Sequence, residues 1–339
     1  MNAPAHISLD HGSGGLASQE LIAGLFLRYL RSPQLKDLED CALLESFPGQ
    51  IAFSTDSYVV DPLFFPGGDI GRLAVHGTVN DLAMRGAWPI ALSLALIIEE
   101  GFAVAQLERV IASIAECADA AGLAVVTGDT KVVPRGKADG LFVNTAGIGR
   151  APAHTRISGA LASPGDAVLI SGTLADHGIT IMTAQAGLAV TGQLRSDTRP
   201  LHRLVAALLE EAREKIHVLR DPTRGGLATT LCEIARSSGV AIEVEEERLP
   251  VRPDVATACD MIGLDPLYLA NEGKCIVICR PEAADPLLAV MRGMDEGRDA
   301  VRIGTVAACD RPGQVSLHTR IGGRRLLEPL AGQPLPRIC

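Results

Sequence analysis

The sequence predicts a two-domain α/β (α+β) protein, and three observations carry that expectation. Short apolar strands alternate with helical stretches along the chain, the pattern of packed sheet and helix layers. The 339 residues exceed what one core usually organises, at about 100–200 residues per domain. A seam rich in Ala, Gly, Pro and Ser, residues 149–167, precedes a fresh strand. It sets expected boundaries of 1–156 for an N-terminal domain, 157–326 for a C-terminal α/β domain and 327–339 for a flexible tail.

The elements follow in order. HISLD, residues 6–10, reads as a short strand, and a helix starts near Ala17. IAFSTDSYVV, 51–60, is a strand with a polar interruption. GGDIGRLAVHGTVNDLAMRG, 67–86, is a helix with Asp69 as a plausible N-cap. IALSLALII, 90–98, is a buried strand. VAQLERVIASIAECADAAG, 104–122, is the clearest amphipathic helix, closed by Gly122. LAVVTGDTKVV and LFVNTAGIG are strands on either side of the turn 134–140. In the second half AVLISG is a strand, HGITIMTAQ and LVAALLEEAREK are helices, and IHVLRD is a strand. The helix of GGLATTLCEIARSSG comes next, then strands at AIEVEEE and KCIVICR. The closing EPLAGQPLPRIC holds three prolines, Pro334 and Pro336 among them, and no period. It reads as an extended, mobile arm.

Composition narrows the function classes. Mean hydropathy is slightly positive at +0.23. The longest apolar run, Trp88–Ile98, holds eleven residues, includes Pro89 and Ser93, and stops at Glu99 and Glu100. A membrane helix needs about 18. The opening segment has no basic stretch followed by an apolar one, so no secretory signal is visible and a cytoplasmic location is expected. Forty acids against 31 bases give a formal charge of −9, and aromatics are 3%. That argues against a nucleic-acid footprint, which needs basic surface and stacking platforms. The eight cysteines, Cys41, Cys117, Cys232, Cys259, Cys275, Cys279, Cys309 and Cys339, include no C-x-x-C. Most are expected to be small core residues with free thiols. Cys275 and Cys279, four apart on a strand, share one face.

Several segments could carry chemistry. HGSGG, 11–15, places three glycines before a helix, where successive N–H groups can converge on phosphate; a plain Gly turn reads as well. Asp56, Asp129 and Asp221 close strands, and Asp81 lies inside a largely apolar helix. Acids at the ends of separate strands can converge on a hard cation such as Mg²⁺. Each also has a structural reading. Asp56 can terminate a strand, Asp81 can pair with Arg85, Asp129 can sit in a turn, and Asp221 can cap a helix beginning at Pro222. RDPTRGGLA, 220–228, spends two glycines in an expected first helical turn, at about 1 kcal/mol each. They become sensible if a ligand approaches the backbone, with Arg220 and Arg224 offering guanidinium forks. Asp129 and Lys131, two apart on a strand, point the same way. NEGK, 271–274, puts Glu272 in a turn before a buried strand.

Taken together, HGSGG, the block Thr55–Pro89, TGDTKVV, RDPTRGGLA, ANEGK and the closing PRIC resemble the HypE family of hydrogenase-maturation proteins. That family lies in the superfamily of aminoimidazole ribonucleotide synthetase, selenophosphate synthetase and thiamine-phosphate kinase. The match runs in order over nearly the whole chain. The resemblance implies an N-terminal mixed-sheet domain that forms a barrel across a homodimer, and a C-terminal α/β sandwich. It implies that the Cys339 thiol receives a carbamoyl group from the carbamoyltransferase HypF. ATP then drives dehydration to a thiocyanate, and cyanide passes to iron held by a HypC–HypD complex. By motif, Asp56, Asp81, Asp129 and Asp221 would hold Mg²⁺–ATP. Gly12, Ser13, Gly14 and Gly15 would cover the phosphates, joined by Asn80, Thr130 and Arg224 at the nucleotide. Lys131 would stabilise the transferring group, and Glu272, with His11 in reserve, would accept the proton. Two other readings stay open: a small-molecule kinase or synthetase of the same superfamily, and a non-catalytic carrier that shuttles a group on Cys339.

Overall fold

Two sheets organise the chain in a computed structural model that describes residues 5–36, 38–39, 41–153, 155–188, 193–308, 313–330 and 337–339. The strands are β1 (Gln50–Tyr58), β2 (Phe64–Phe65), β3 (Gly68–Asp69), β4 (Trp88–Glu99), β5 (Ala124–Val133), β6 (Leu141–Ala151), β7 (Ala167–Ile170), β8 (Ile216–Arg220), β9 (Ala241–Glu245), β10 (Ile276–Cys279), β11 (Val301–Ala307), β12 (Val315–His318) and β13 (Arg324–Leu327). The helices are α1 (Leu16–Leu21), α2 (Leu27–Tyr29), α3 (Ile70–Ala83), α4 (Val104–Ala121), α5 (Asp176–Gln185), α6 (His202–Ala212), α7 (Gly226–Ser238), α8 (Pro253–Ile262) and α9 (Pro281–Arg292).

The first sheet is mixed, in the order β1-β6-β4-β5, with β4 and β5 parallel and the other pairs antiparallel. Helices α3 and α4 cover it. The Asp69 carboxylate caps α3 by accepting from the Gly71 and Arg72 N–H groups at 2.8 and 3.0 Å. Gly122 ends α4 in the left-handed conformation at φ 73°. Between them they bury Leu73, Val79, Leu107, Ile111 and Ile114. The other face of β1 leaves Ile51 and Phe53 72% and 67% exposed.

The second sheet runs β13-β12-β9-β11-β7-β10-β8. Strand β10, between β7 and β8, is buried on both faces, because helices cover both. Cys275, Val277 and Cys279 pack with Leu204, Leu208 and Leu287 of α6 and α9. Ile276 and Ile278 pack with Leu227 and Leu231 of α7. Cys275 and Cys279 therefore do share a face. Burial pushes both thiols up to about 12. Cys117, Cys232 and Cys259 are likewise buried and free, and Cys41 is exposed and free. Cys309 lies outside the described residues.

Two expectations need correction. The HISLD strand is a single bridge, His6 to Ala103, followed by a tight turn over Leu9–Gly12. The turn wins because the Ser8 N–H donates to His11 Nδ1 at 3.0 Å. Asp221 caps nothing: α7 begins five residues later, behind Gly225 at φ 69°. The last three residues of the tail are docked in this structure. Residues 337–339 lie along the backbone after β1, where the Val59 and Asp61 N–H groups donate to the Cys339 and Arg337 carbonyls at 3.1 and 3.2 Å. Ile338 is buried in the N-terminal core. Pro334 and Pro336 fall outside the described residues.

Candidate functional site

Four acids gather where the two sheets meet. Asp56 comes from β1, Asp81 from α3, Asp221 from the end of β8, and Glu272 from the loop before β10. Ser54 and Asp56 alternate onto one face of β1. The Ser54 hydroxyl donates to Asp81 Oδ2 at 2.6 Å. The loop carrying Glu272 is fixed almost wholly by buried side chains bonding to backbone. The Asn271 amide accepts from the Ala175 N–H at 2.8 Å and donates to the Pro222 and Leu269 carbonyls at 3.1 and 3.0 Å. The Asp197 carboxylate accepts the Glu272 and Gly273 N–H groups, each at 3.2 Å, and pairs with Lys274 Nζ at 3.3 Å. Those charges and N–H donors hold Asp197 below the usual carboxylate range despite its burial.

The remaining acids are pushed the other way. Burial, with Asp56 adding repulsion, raises Asp81. Burial, then the charges of Asp81 and Asp56, lift Asp221 to about 7. Glu272 is raised well above the usual carboxylate range by burial, then by Asp197, Asp221, Asp56 and Asp81. Glu272 is 4% exposed, and its Oε1 has no hydrogen-bond partner. Such an atom costs about 1–3 kcal/mol unless a ligand answers it. Among the described residues no three ligands close on one metal position. The acids nevertheless suit a divalent cation, whose charge would relieve their repulsion. Mg²⁺ commonly takes only one or two carboxylates beside water and phosphate oxygens.

Cys339 is seated at this group. The nearby charges acting on its thiol are Glu272, Asp56 and Arg224. The Arg224 guanidinium also meets Asp56 Oδ1 at 3.2 Å. Burial and the two carboxylates push the thiol up to about 12, against the smaller opposing pull of Arg224. A docked Cys339 thiol is thus a poor nucleophile. A cavity of about 510 Å³ opens at Asp81 and Asp221, lined also by Ser54, Arg85 and Arg220.

The other expected residues stand apart. His11, Gly12, Gly14, Asp129, Thr130 and Lys131 line a separate cavity of about 220 Å³. It lies against β5, at the opposite edge of the first sheet from β1. There Lys131 Nζ meets Asp129 Oδ1 at 2.8 Å, and the Thr130 N–H donates to the same oxygen at 2.9 Å. Both side chains are mainly exposed. A Cβ on Gly12 would lie 2.4 Å from the Val132 nitrogen, so only glycine lets this loop rest on β5. Of the four acids the sequence suggests around one centre, Asp56, Asp81 and Asp221 come together, and Asp129 sits at the opposite edge of the first sheet from Asp56.

Two further assignments change. Asn80 is not open to a nucleotide: its amide donates to the Arg199 and Glu272 carbonyls at 3.0 and 3.1 Å and accepts from Leu201 N–H at 2.8 Å. It positions the Glu272 loop instead. Gly225 and Gly226 need no ligand to explain them. Both have positive φ, and a Cβ on Gly226 would meet the Leu267 and Leu269 carbonyl oxygens at 2.6 Å. Sequence reasoning passed over Asn271 and Lys274, though NEGK contains them. It had no signal for Asp197 or Ser54.

Comparison with known proteins gives this arrangement its class. Residues 38–151 match the AIR synthase related protein N-terminal domain, and residues 163–314 match the corresponding C-terminal domain. A carbamoyl dehydratase HypE of Azotobacter vinelandii is 51% identical over 333 residues, 98% of this chain and 97% of that one. A crystal structure of the hydrogenase maturation protein HypE in complex with ATP superposes at a TM-score of 0.95, with 53% identity over 98% of this chain and 99% of that one. A crystal structure of a HypE–HypF complex matches at 0.80, with 45% identity over 91% and 99%. The chain belongs to the HypE family of hydrogenase maturation proteins, within the AIR synthase related class.

Proposed function

We propose that this chain is the ATP-dependent carbamoyl dehydratase of [NiFe]-hydrogenase maturation, and that the group it dehydrates is carried on its own Cys339. The observation that carries the reading is the seat of Cys339 beside Glu272, Asp56 and Arg224. A small-molecule kinase would have no use for a docked terminal thiol.

Amide oxygen is a poor leaving group. Phosphoryl transfer from ATP to the carbamoyl oxygen turns it into phosphate. The nitrogen gives up both protons, phosphate departs, and S–C≡N remains; the elements of water end in ADP and phosphate. Glu272 accepts a proton. Its Oε1 is buried and unpartnered, and burial with the neighbouring carboxylates raises its pKa, which makes the carboxylate a stronger base. Asp56, Asp81 and Asp221 would hold Mg²⁺, which would neutralise triphosphate charge. Lys131, Asp129, Thr130 and Gly12–Gly15 belong to the phosphate side of the same reaction.

A homodimer would reunite the two halves. Among the described residues β1 and β5 each have a neighbour on one side only. Pairing β1 of one protomer with β5 of its partner closes a barrel, covers Ile51 and Phe53, and brings a second copy's Asp129 edge toward Asp56. Loading requires the opposite state of the tail. HypF is the carbamoyl donor, and it would meet Cys339 away from the acids that suppress its thiolate. The product leaves for iron on a HypC–HypD complex. No helix among the described residues is long and apolar enough to cross a membrane, and a reducing cytoplasm suits a working thiol.

The test is peptide mapping after carbamoyl adenylate is supplied. The adduct is expected on Cys339 and absent from the Cys339→Ala protein. An adduct on Cys41, or one that persists without Cys339, contradicts the reading.

A further inference from the structure

We infer that His177 is the positioning residue that latches the C-terminal segment in its docked state, and that it sets how much of the time Cys339 spends at the acids. His177 is wholly buried at the first turn of α5. Its Nε2 lies 2.8 Å from the Ile338 carbonyl oxygen. Its Nδ1 lies 2.8 Å from Ser196 Oγ, which in turn accepts the Thr198 N–H at 3.1 Å. A carbonyl only accepts, so Nε2 carries the proton. The neutral ring then accepts the Ser196 O–H at Nδ1. The chain of donors runs in one direction, from Thr198 through Ser196 and His177 to Ile338. Phe65 packs its ring edge-on to the imidazole, with centroids 5.7 Å apart, which holds the plane.

The Ile338 side chain packs in the N-terminal core, and the other side-chain hydrogen bonds around Arg337 lie at or near the surface. Arg337 reaches Asp139, and its Nε donates to the Val59 carbonyl at 2.9 Å. Gln185 donates to the Arg337 carbonyl at 3.3 Å. Exposed contacts of this kind distinguish poorly between docked and free, because water replaces them. The Ile338 carbonyl is different. Docked, it is buried and His177 is its side-chain donor. Free, it turns to water. The donor therefore acts on the docked state alone, and a neutral one lets the segment leave. Removing it strands a buried carbonyl, which should shift the docking equilibrium about tenfold toward the free state.

The first arm of the test is independent of the proposed reaction. Cys339 alkylation by iodoacetamide is timed by mapping the C-terminal peptide, with buried Cys117 as an internal control for folding. His177→Ala should alkylate about tenfold faster than the parent at Cys339 and no faster at Cys117. His177→Gln, whose amide can still donate to Ile338, should fall back toward the parent rate. Ser196→Ala, which frees the tautomer without touching the tail, should accelerate alkylation several-fold and covers the case in which His177→Ala does not fold. Equal Cys339 rates in the parent and in every folded variant overturn the inference. The second arm rests on the dehydratase reading: with carbamoyl-loaded protein, His177→Ala should dehydrate about tenfold more slowly in a single turnover while loading at least as fast. Faster alkylation with no dehydration even in the parent would uphold the latch and reject the reaction.

Discussion

Asp221 offers the most quantitative handle on the acid group. Its carboxyl moves from an ordinary 3.8 to about 7, through burial and the charges of Asp81 and Asp56. Three units at about 1.36 kcal/mol each give a ceiling of about 4 kcal/mol. Asp221 keeps some solvent contact, and screening lowers the working figure to about 2 kcal/mol. The sign follows from linkage. Below about pH 4 the carboxyl is protonated in both states, and no penalty exists. Between about pH 4 and pH 7 the unfolded chain ionises first, so folding loses stability as pH rises. Above pH 7 both states are ionised and the full penalty stands. Asp221→Asn removes that charge. In EDTA, urea unfolding should show little difference from the parent near pH 4 and a stabilisation of about 2 kcal/mol at pH 8. Added Mg²⁺ and ATP should then stabilise the parent more than the variant, because only the parent keeps the full acid set. A variant equally or less stable at pH 8 would refute the repulsion argument, as would an offset that ignores pH.

Glu272→Gln should leave carbamoyl loading intact and slow dehydration by about 10²–10⁴, measured as thiocyanate formed per loaded chain, if the carboxylate is the proton acceptor. Charging the exposed β1 face with Ile51→Lys and Phe53→Lys together should weaken the dimer, seen as a fall toward one-chain mass by light scattering at micromolar protein. His202 is 2% exposed, and burial, then the charge of Arg203, lowers it to about 4. Stability should therefore fall as pH drops from about 6.5 to about 4, by about 3 kcal/mol, because only the unfolded chain takes up the proton. His202→Leu should flatten that slope.

What the sequence revealed depended on how local the physics was. The Asp69 cap, the Gly122 stop, the buried strand before Glu99 and the shared face of Cys275 and Cys279 are set by residues within a few positions of one another, and all four hold. Helices α8 and α9 were passed over, although each opens with proline at its first turn. Strands β11, β12 and β13 are short, and pairing with distant strands defines them. The site shows the same divide. Asp56, Asp81, Asp221, Glu272 and Cys339 come together, but their assembly depends on Asn80, Asp197 and Asn271, whose amides and carboxylate bond to backbone far away in sequence. Asn80 beside Asp81 looked like a ligand-binding pair; only the fold shows that one faces backbone. Likewise nothing in TGDTK announces that Asp129 sits on the far edge of the sheet from Asp56.

The central claim is that the chain dehydrates a carbamoyl group on its own Cys339, and intact mass spectrometry in two steps tests it most directly. Supplying the carbamoyl donor should add one carbamoyl group per chain. Adding Mg²⁺ and ATP should then remove one water from that adduct, leaving a thiocyanate, with neither change in the Cys339→Ala protein. An adduct that survives ATP unchanged, or ATP turnover with no loss of water from the loaded chain, would contradict it.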